Sequence, residues 1–168
     1  MRWFLDTEFA EDGTKIDLIS LALVAEPGHF YYACSTAFNP KLVNDWVRDN
    51  VLPKLPPRDA PWWKSRTEIA DDVRDILLHD GKPELWGYFA DYDWVALCQL
   101  YGRMVDLPKG FPFWCHDLKQ LMEDRGVDND ALPFQTTDEH DALNDARWIR
   151  SAWLHLKSAT VAASTDLR

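Results

Sequence analysis

The sequence is poor in cysteine. Its three thiols, Cys34, Cys98 and Cys115, stand far apart and form no C-x-x-C pair. That argues against a disulfide-stapled domain and against a zinc ribbon, and each thiol is expected as a small core residue. Long hydrophobic runs are missing too. An uninterrupted stretch such as Leu21 to Ala25 is far too short to span a bilayer. Asp6 ends the apolar start Trp3-Phe4-Leu5 before a secretion signal could form. A cytoplasmic chain with no membrane contact is the expectation. Positive charge is the third shortage: 18 Lys plus Arg against 28 Asp plus Glu leave a net charge of −10. Non-specific coats on nucleic acid work through basic patches that neutralise phosphates. Any nucleic-acid role here therefore needs a local device that overcomes the overall repulsion.

What is present is a globular composition. An apolar fraction of 46% excludes a disordered acidic tail. The 168 residues suit one domain, expected over 1–157, with a flexible tail over 158–168. Nine Trp are a surplus to be explained. No internal repeat or low-complexity segment interrupts the chain.

Patterning places elements along it. Residues 3–9, 16–24 and 28–33 read as three strands of an antiparallel meander, with Glu26-Pro27-Gly28 as a turn signal. Residues 42–51 suit a short helix, and the Pro-rich stretch 53–61 a loop. Ser65-Arg66-Thr67-Glu68 has capping-box spacing, and Ile69, Val73, Ile76 and Leu77 share one helical face. Residues 84–89 read as a buried strand, 94–101 as a helix and 111–115 as a further strand. Asp117 is placed to cap a helix over 118–124 that ends at Gly126. A loop over 127–137 leads to a last helix over 141–156, with Leu143, Ala146, Ile149, Trp153 and Leu156 on its apolar side. This order describes an α/β domain, a mixed sheet with helices on its faces.

Three acidic features stand out. Asp6-Thr7-Glu8 ends an apolar strand, and alternation sends residues 6 and 8 to the same face. With 21 Asp and 7 Glu, chance supplies about 0.9 D-x-E pairs, so the context matters more than the pair. The run Trp86 to Leu97 delivers carboxylates to a strand-to-helix junction, where an Asp commonly caps. Asp93 is assigned to the site and Asp91 to the structural role. His140-Asp141-Ala142-Leu143-Asn144-Asp145 sets a histidine and a carboxylate at a helix start, with Asp145 at the edge of the apolar stripe. A bonded helix-start histidine and an exposed helical carboxylate are the bland alternatives. An ionised group at that edge wants a partner such as a metal. Hard oxygen donors suit Mg²⁺ or Mn²⁺. Two such ions could hold a phosphodiester, and an imidazole could take the proton of an attacking water.

At these residues the chain resembles the DEDDh 3′–5′ exonucleases of the ribonuclease H-like superfamily. Asp6-x-Glu8 matches the first motif, Asp93 the second and His140-x-x-x-x-Asp145 the third, in order, over residues 3–156. The stretches F-L-D-T-E-F-A-E-D-G and Y-D-W-V-A-L-C-Q-L are most similar to the actinobacterial RNase AS type. The resemblance implies a ribonuclease H-like mixed sheet, two Mg²⁺ ions (Mn²⁺ as substitute), trimming of RNA 3′ ends that are often adenylate-rich, and a homodimer. It also implies roles. Asp6, Glu8 and Asp145 would bind the catalytic metal, with Asp6 bridging to a second ion that Asp93 holds through water. His140 would be the general base. One departure is Phe89, where many relatives carry a polar residue, often Asn.

Among the aromatics, Phe9 follows the carboxylate pair and, with Glu8, is a candidate contact to the terminal nucleoside; a core role for Phe9 is equally open. Trp62-Trp63 and Phe113-Trp114 are assigned to core or interface, and Trp148 and Trp153 to core or dimer. No basic stripe is visible, so a short single-stranded RNA 3′ end fits better than a long duplex. A 3′–5′ DNA exonuclease of proofreading type is the nearest rival, since no residue visibly reads a 2′-hydroxyl. A haloacid-dehalogenase-like phosphatase would need an Asp where Glu8 stands. From another class, a non-catalytic ribonuclease H-like interaction domain would use its Trp residues at a protein interface.

Overall fold

The computed structural model describes residues 1–165, and side chains for residues 1–158. Three long antiparallel strands form its centre: β1 (Arg2–Glu11), β2 (Ile16–Ala25) and β3 (Phe30–Ser35). They are the predicted meander, with Asp6 opposite Ala22, Glu8 opposite Ser20, and Ser20 opposite Cys34. β2 is buried along almost its whole length, as its near-continuous apolar run requires for a strand covered on both faces.

Parallel strands complete both sides. After the short α1 (Asp45–Asn50), β4 (Trp63–Lys64) pairs with β3. After α2 (Arg66–His79), β5 (Glu84–Gly87) pairs with β1, setting Phe4 opposite Trp86. After α3 (Asp91–Cys98), β6 (His116–Asp117) pairs with β5, and α4 (Leu118–Arg125) and α5 (Ala142–Thr165) follow. The sheet order is β4-β3-β2-β1-β5-β6. This is the expected mixed α/β architecture, consistent with a ribonuclease H-like arrangement.

Alternation along β1 divides the core. Trp3 and Leu5 pack with Ile69, Val73 and Leu77 of α2 and Leu97 of α3 on one face. Phe4 packs on the other with Leu118 and Met122 of α4 and Ala146, Ile149 and Trp153 of α5. The alanines of α5 at positions 142, 146 and 152 are fully buried, letting that helix lie close to the sheet.

Local signals explain the helix limits. Ser65 and Glu68 form the reciprocal capping box of α2. Asp117 accepts from the amides of Lys119 and Gln120 at the start of α4, and Gly126 closes it in left-handed backbone. Asp141 accepts from the Asn144 amide at the start of α5. That helix runs past the expected limit at Leu156 to Thr165; residues 166–168 of the expected tail lie outside the described residues. Cys34 and Cys98 are buried and Cys115 partly so.

The short helix expected over 42–51 is present as Asp45–Asn50, flanked by 3₁₀ turns at Pro40–Leu42 and Leu52–Lys54. Other expectations are corrected. Residues 111–115 form no strand, because Pro112 offers no amide to a ladder and the Phe111 amide closes a turn onto the Pro108 carbonyl at 3.1 Å. The edge strand is formed instead by His116 and Asp117. Phe113, Trp114 and Trp62 are exposed and so are not core residues, whereas Trp153 is buried.

Candidate active site

The carboxylate pair is not at the end of its strand, since β1 continues to Glu11. What ends is the neighbour. The parallel partner β5 stops at Gly87, leaving the edge of β1 unpaired at Thr7. Asp93 fills that place: its Oδ1 accepts the Thr7 amide at 2.8 Å and the Thr7 hydroxyl at 2.6 Å. The chain must turn tightly from β5 into α3 to bring Asp93 there. Gly87 makes the turn possible, because a Cβ at that position would lie 2.7 Å from Ala90 Cβ.

Asp93 is 6% exposed, whereas Asp91 lies in the open. The assignment of Asp91 as the helix cap is corrected. α3 starts at Asp91 itself, its capping residue is Ala90, and no side chain caps it. The Ala90 amide is taken instead by Asp117 at 2.8 Å.

Asp6 and Glu8 project from β1 on the α5 side. Asp145, in the first turns of α5, faces them. Ligand-capable atoms of Glu8, His140 and Asp145 all lie within 4.8 Å of one another. Asp145 accepts the His140 amide at 2.8 Å on Oδ2 and the Gln135 side-chain amide on Oδ1. His140 has left-handed backbone, with φ 60°, which directs the chain into the Asp141 cap. Its ring packs edge-on against Trp46, with centroids 4.7 Å apart, and the Lys54 ammonium holds the preceding Glu139 carbonyl. Asp6, His140 and Asp145 open onto a cleft of about 700 Å³, walled by Tyr88, Phe134 and Trp148.

Electrostatics show how crowded this point is. Burial, then the charges of Asp93, Asp145 and Glu8, holds the Asp6 carboxyl well above the usual range. Burial followed by Asp145 and Asp93 pushes Glu8 up to about 8. Burial raises Asp93 to about 6 against the opposing bonds from Thr7, and it raises Asp145 against the bonds from Gln135 and His140. Four carboxylates that resist ionisation together would be stabilised by a multivalent cation. An all-oxygen donor set of this kind fits Mg²⁺ or Mn²⁺.

The sign of these shifts yields an expected result. Carboxyls with raised values in the fold keep protons that the unfolded chain releases, so stability falls as pH rises from about 4.5 through about 8, the span of the Glu8 shift. Exposed carboxylates with lowered values, such as Asp12 and Glu68, act below that window. In chelator, thermal unfolding should therefore drop by roughly 5 °C or more between pH 5 and pH 8.5, at roughly 2–4 °C per kcal/mol for a domain of this size. Excess Mg²⁺ should reverse the drop. An unfolding temperature that is level in chelator over this range would contradict the clustering.

All five residues expected from the sequence, Asp6, Glu8, Asp93, His140 and Asp145, thus meet at one place. Phe9 is half-buried and stacked on Tyr92 at 5.5 Å, and like Glu8 and Asp93 it is not among the residues lining the cleft. Sequence reading missed Thr7, Gln135, Trp46 and Lys54, which hold Asp93, Asp145 and the His140 loop. Alternation along β1 could have flagged Thr7, since it must point away from its two acidic neighbours. Gln135 and Trp46 carry no local signal.

A family model for the 3′-5′ exoribonuclease Rv2179c-like domain matches residues 1–156. The chain is 50% identical over 149 residues to 3′-5′ exoribonuclease Rv2179c of Mycobacterium tuberculosis strain H37Rv, with 88% of each chain covered. It has the same identity and coverage with 3′-5′ exoribonuclease MT2234.1 of M. tuberculosis strain CDC 1551. No helix among the described residues is long and apolar enough to cross a membrane.

Proposed function

The chain belongs to the Rv2179c-like 3′-5′ exoribonuclease domain family, and from that premise we propose that it is a metal-dependent 3′–5′ exoribonuclease of DEDDh type. It removes nucleoside 5′-monophosphates one at a time from single-stranded RNA. The carrying observation is that Asp6, His140 and Asp145 open onto one cleft, that Glu8 lies within ligand distance of His140 and Asp145, and that Asp93 acts on Asp6 through its charge.

Asp6, Glu8 and Asp145 are the residues that would hold the catalytic ion, and Asp6 and Asp93 are those that would hold a second. When bound, two divalent ions would stabilise charge on the attacking and leaving oxygens of the scissile phosphodiester. The protein's own contribution is positional. Thr7 fixes Asp93 by one oxygen. Gln135 and the His140 amide fix Asp145 by both.

His140 accepts the proton of the attacking water as its oxygen bonds to the last phosphorus. The bond from that phosphorus to the 3′-oxygen of the preceding nucleotide breaks, and that oxygen leaves as the new 3′-hydroxyl. Trp46 and Lys54 limit where the His140 ring can lie, which favours one orientation for the transfer. Glu8 also contacts the terminal nucleotide. The low positive charge of the chain suits this arrangement, because the grip on RNA is concentrated at one 3′ end.

Matched RNA and DNA oligonucleotides, including oligoadenylate, test the reading with Mg²⁺ and with chelator. The expected products are 5′-mononucleotides, released faster from RNA and not at all in chelator. Faster hydrolysis of DNA would favour the proofreading-type alternative. Release of no mononucleotide from any 3′ end would leave a non-catalytic domain. Light scattering of the purified chain tests the homodimer.

A further inference from the structure

Phe89 has φ 53°, in the left-handed region. That backbone is costly for a bulky side chain and cheap for Gly or Asn. Burial does not compensate, because the residue is 62% exposed. The ring is nevertheless fixed. It packs edge-on against Tyr88, with centroids 4.7 Å apart, and Tyr88 packs against Trp148 at 5.1 Å. Tyr88 and Trp148 both line the cleft that receives Asp6, His140 and Asp145. Phe89 also stands four residues before Asp93, at the exit from β5. A strained residue that shows an apolar ring to solvent beside a reactive cluster points to use by a ligand.

Charge narrows the choice of ligand. The cleft lining contains Asp6, Asp130, Glu139 and Asp145 and no Lys or Arg among the described residues. Its walls therefore offer RNA phosphates no ion pair. A single strand can still be held through the faces of its bases.

We propose that Phe89 is a substrate-binding residue, a stacking platform for a nucleobase near the 3′ end of single-stranded RNA. This rests on the exoribonuclease reading above. The edge-on contact with Tyr88 restrains the ring before RNA arrives, so less side-chain freedom is lost on binding.

The test separates stacking from structure, because the two roles move stability in opposite directions. Phe89→Asn and Phe89→Gly suit left-handed backbone, and Phe89→Tyr keeps an aromatic face. Steady-state hydrolysis of oligoadenylate with Mg²⁺ and thermal unfolding are measured for each. In the Asn and Gly variants the unfolding temperature should rise by roughly 2–4 °C. Their KM should rise about tenfold, with a much smaller change in kcat. Phe89→Tyr should retain the parental KM. An active parent with unchanged KM in the Asn and Gly variants overturns the stacking role alone. So does loss of activity accompanied by a lower unfolding temperature in both. A parent that releases no mononucleotide overturns the exoribonuclease reading, and this inference with it.

Discussion

Replacing Asp6 with Asn should lower kcat/KM for RNA by at least about 10³-fold, some 4 kcal/mol of transition-state stabilisation, while making the fold more stable in chelator at pH 8. Asp6 is the carboxylate on which the others bear, since Asp93, Asp145 and Glu8 all raise its proton affinity. Asn has nearly the same shape and no charge, so the variant relieves repulsion and keeps the packing of β1. It also removes the ligand shared between the proposed ions. The paired readout is steady-state hydrolysis and thermal unfolding with and without Mg²⁺. The parent should gain stability on adding Mg²⁺ at pH 8, and Asp6→Asn should gain little. If the variant kept its activity, or lost stability in chelator, the cluster would not be the seat of the reaction. The same variant controls for contaminating nuclease, because a contaminant does not respond to it.

Replacing His140 with Asn should reduce kcat by about 10²–10⁴-fold, the usual contribution of a positioned general base, with a small effect on KM. Asn is chosen because φ is 60° at this position, and Asn tolerates that backbone. The bond from residue 140 to Asp145 comes from the backbone amide, so it survives the substitution. The Mg²⁺-induced rise in unfolding temperature should therefore persist, unlike in Asp6→Asn. This contrast matters because His140 lies within ligand distance of Glu8 and Asp145. Were His140 a metal ligand, its loss would abolish the Mg²⁺ response together with the activity. Persistence of the response with loss of turnover assigns it to proton transfer.

These two residues also show how far the chain was legible as a sequence. Asp6 and Glu8 could be placed on one face because alternation along a strand is a local rule. The Ser65–Glu68 box, the Asp117 cap and Gly126 were readable for the same reason, as each acts over three or four residues. Trp153 and the apolar stripe of α5 followed from periodicity. The strand expected over 111–115 was misread, because an apolar run does not reveal whether a partner strand will reach it, and of the two roles open to Phe113 and Trp114 their exposure removes the core one. Pro112 interrupts the pairing, and the ladder begins only at His116.

The sequence by itself determined most of the element types, the five residues that carry the proposed chemistry and their order along the chain. Tertiary structure decided which Asp at the β5–α3 junction turns inward, and what holds the others. Asp93 rather than Asp91 is buried because β5 ends short of Thr7, and a side chain arriving from α3 accepts the Thr7 amide instead. The supports from Gln135, Trp46 and Lys54 come from loops and a short helix with no periodicity to read. Their roles depend on distances between segments far apart in the chain, which local patterning does not encode.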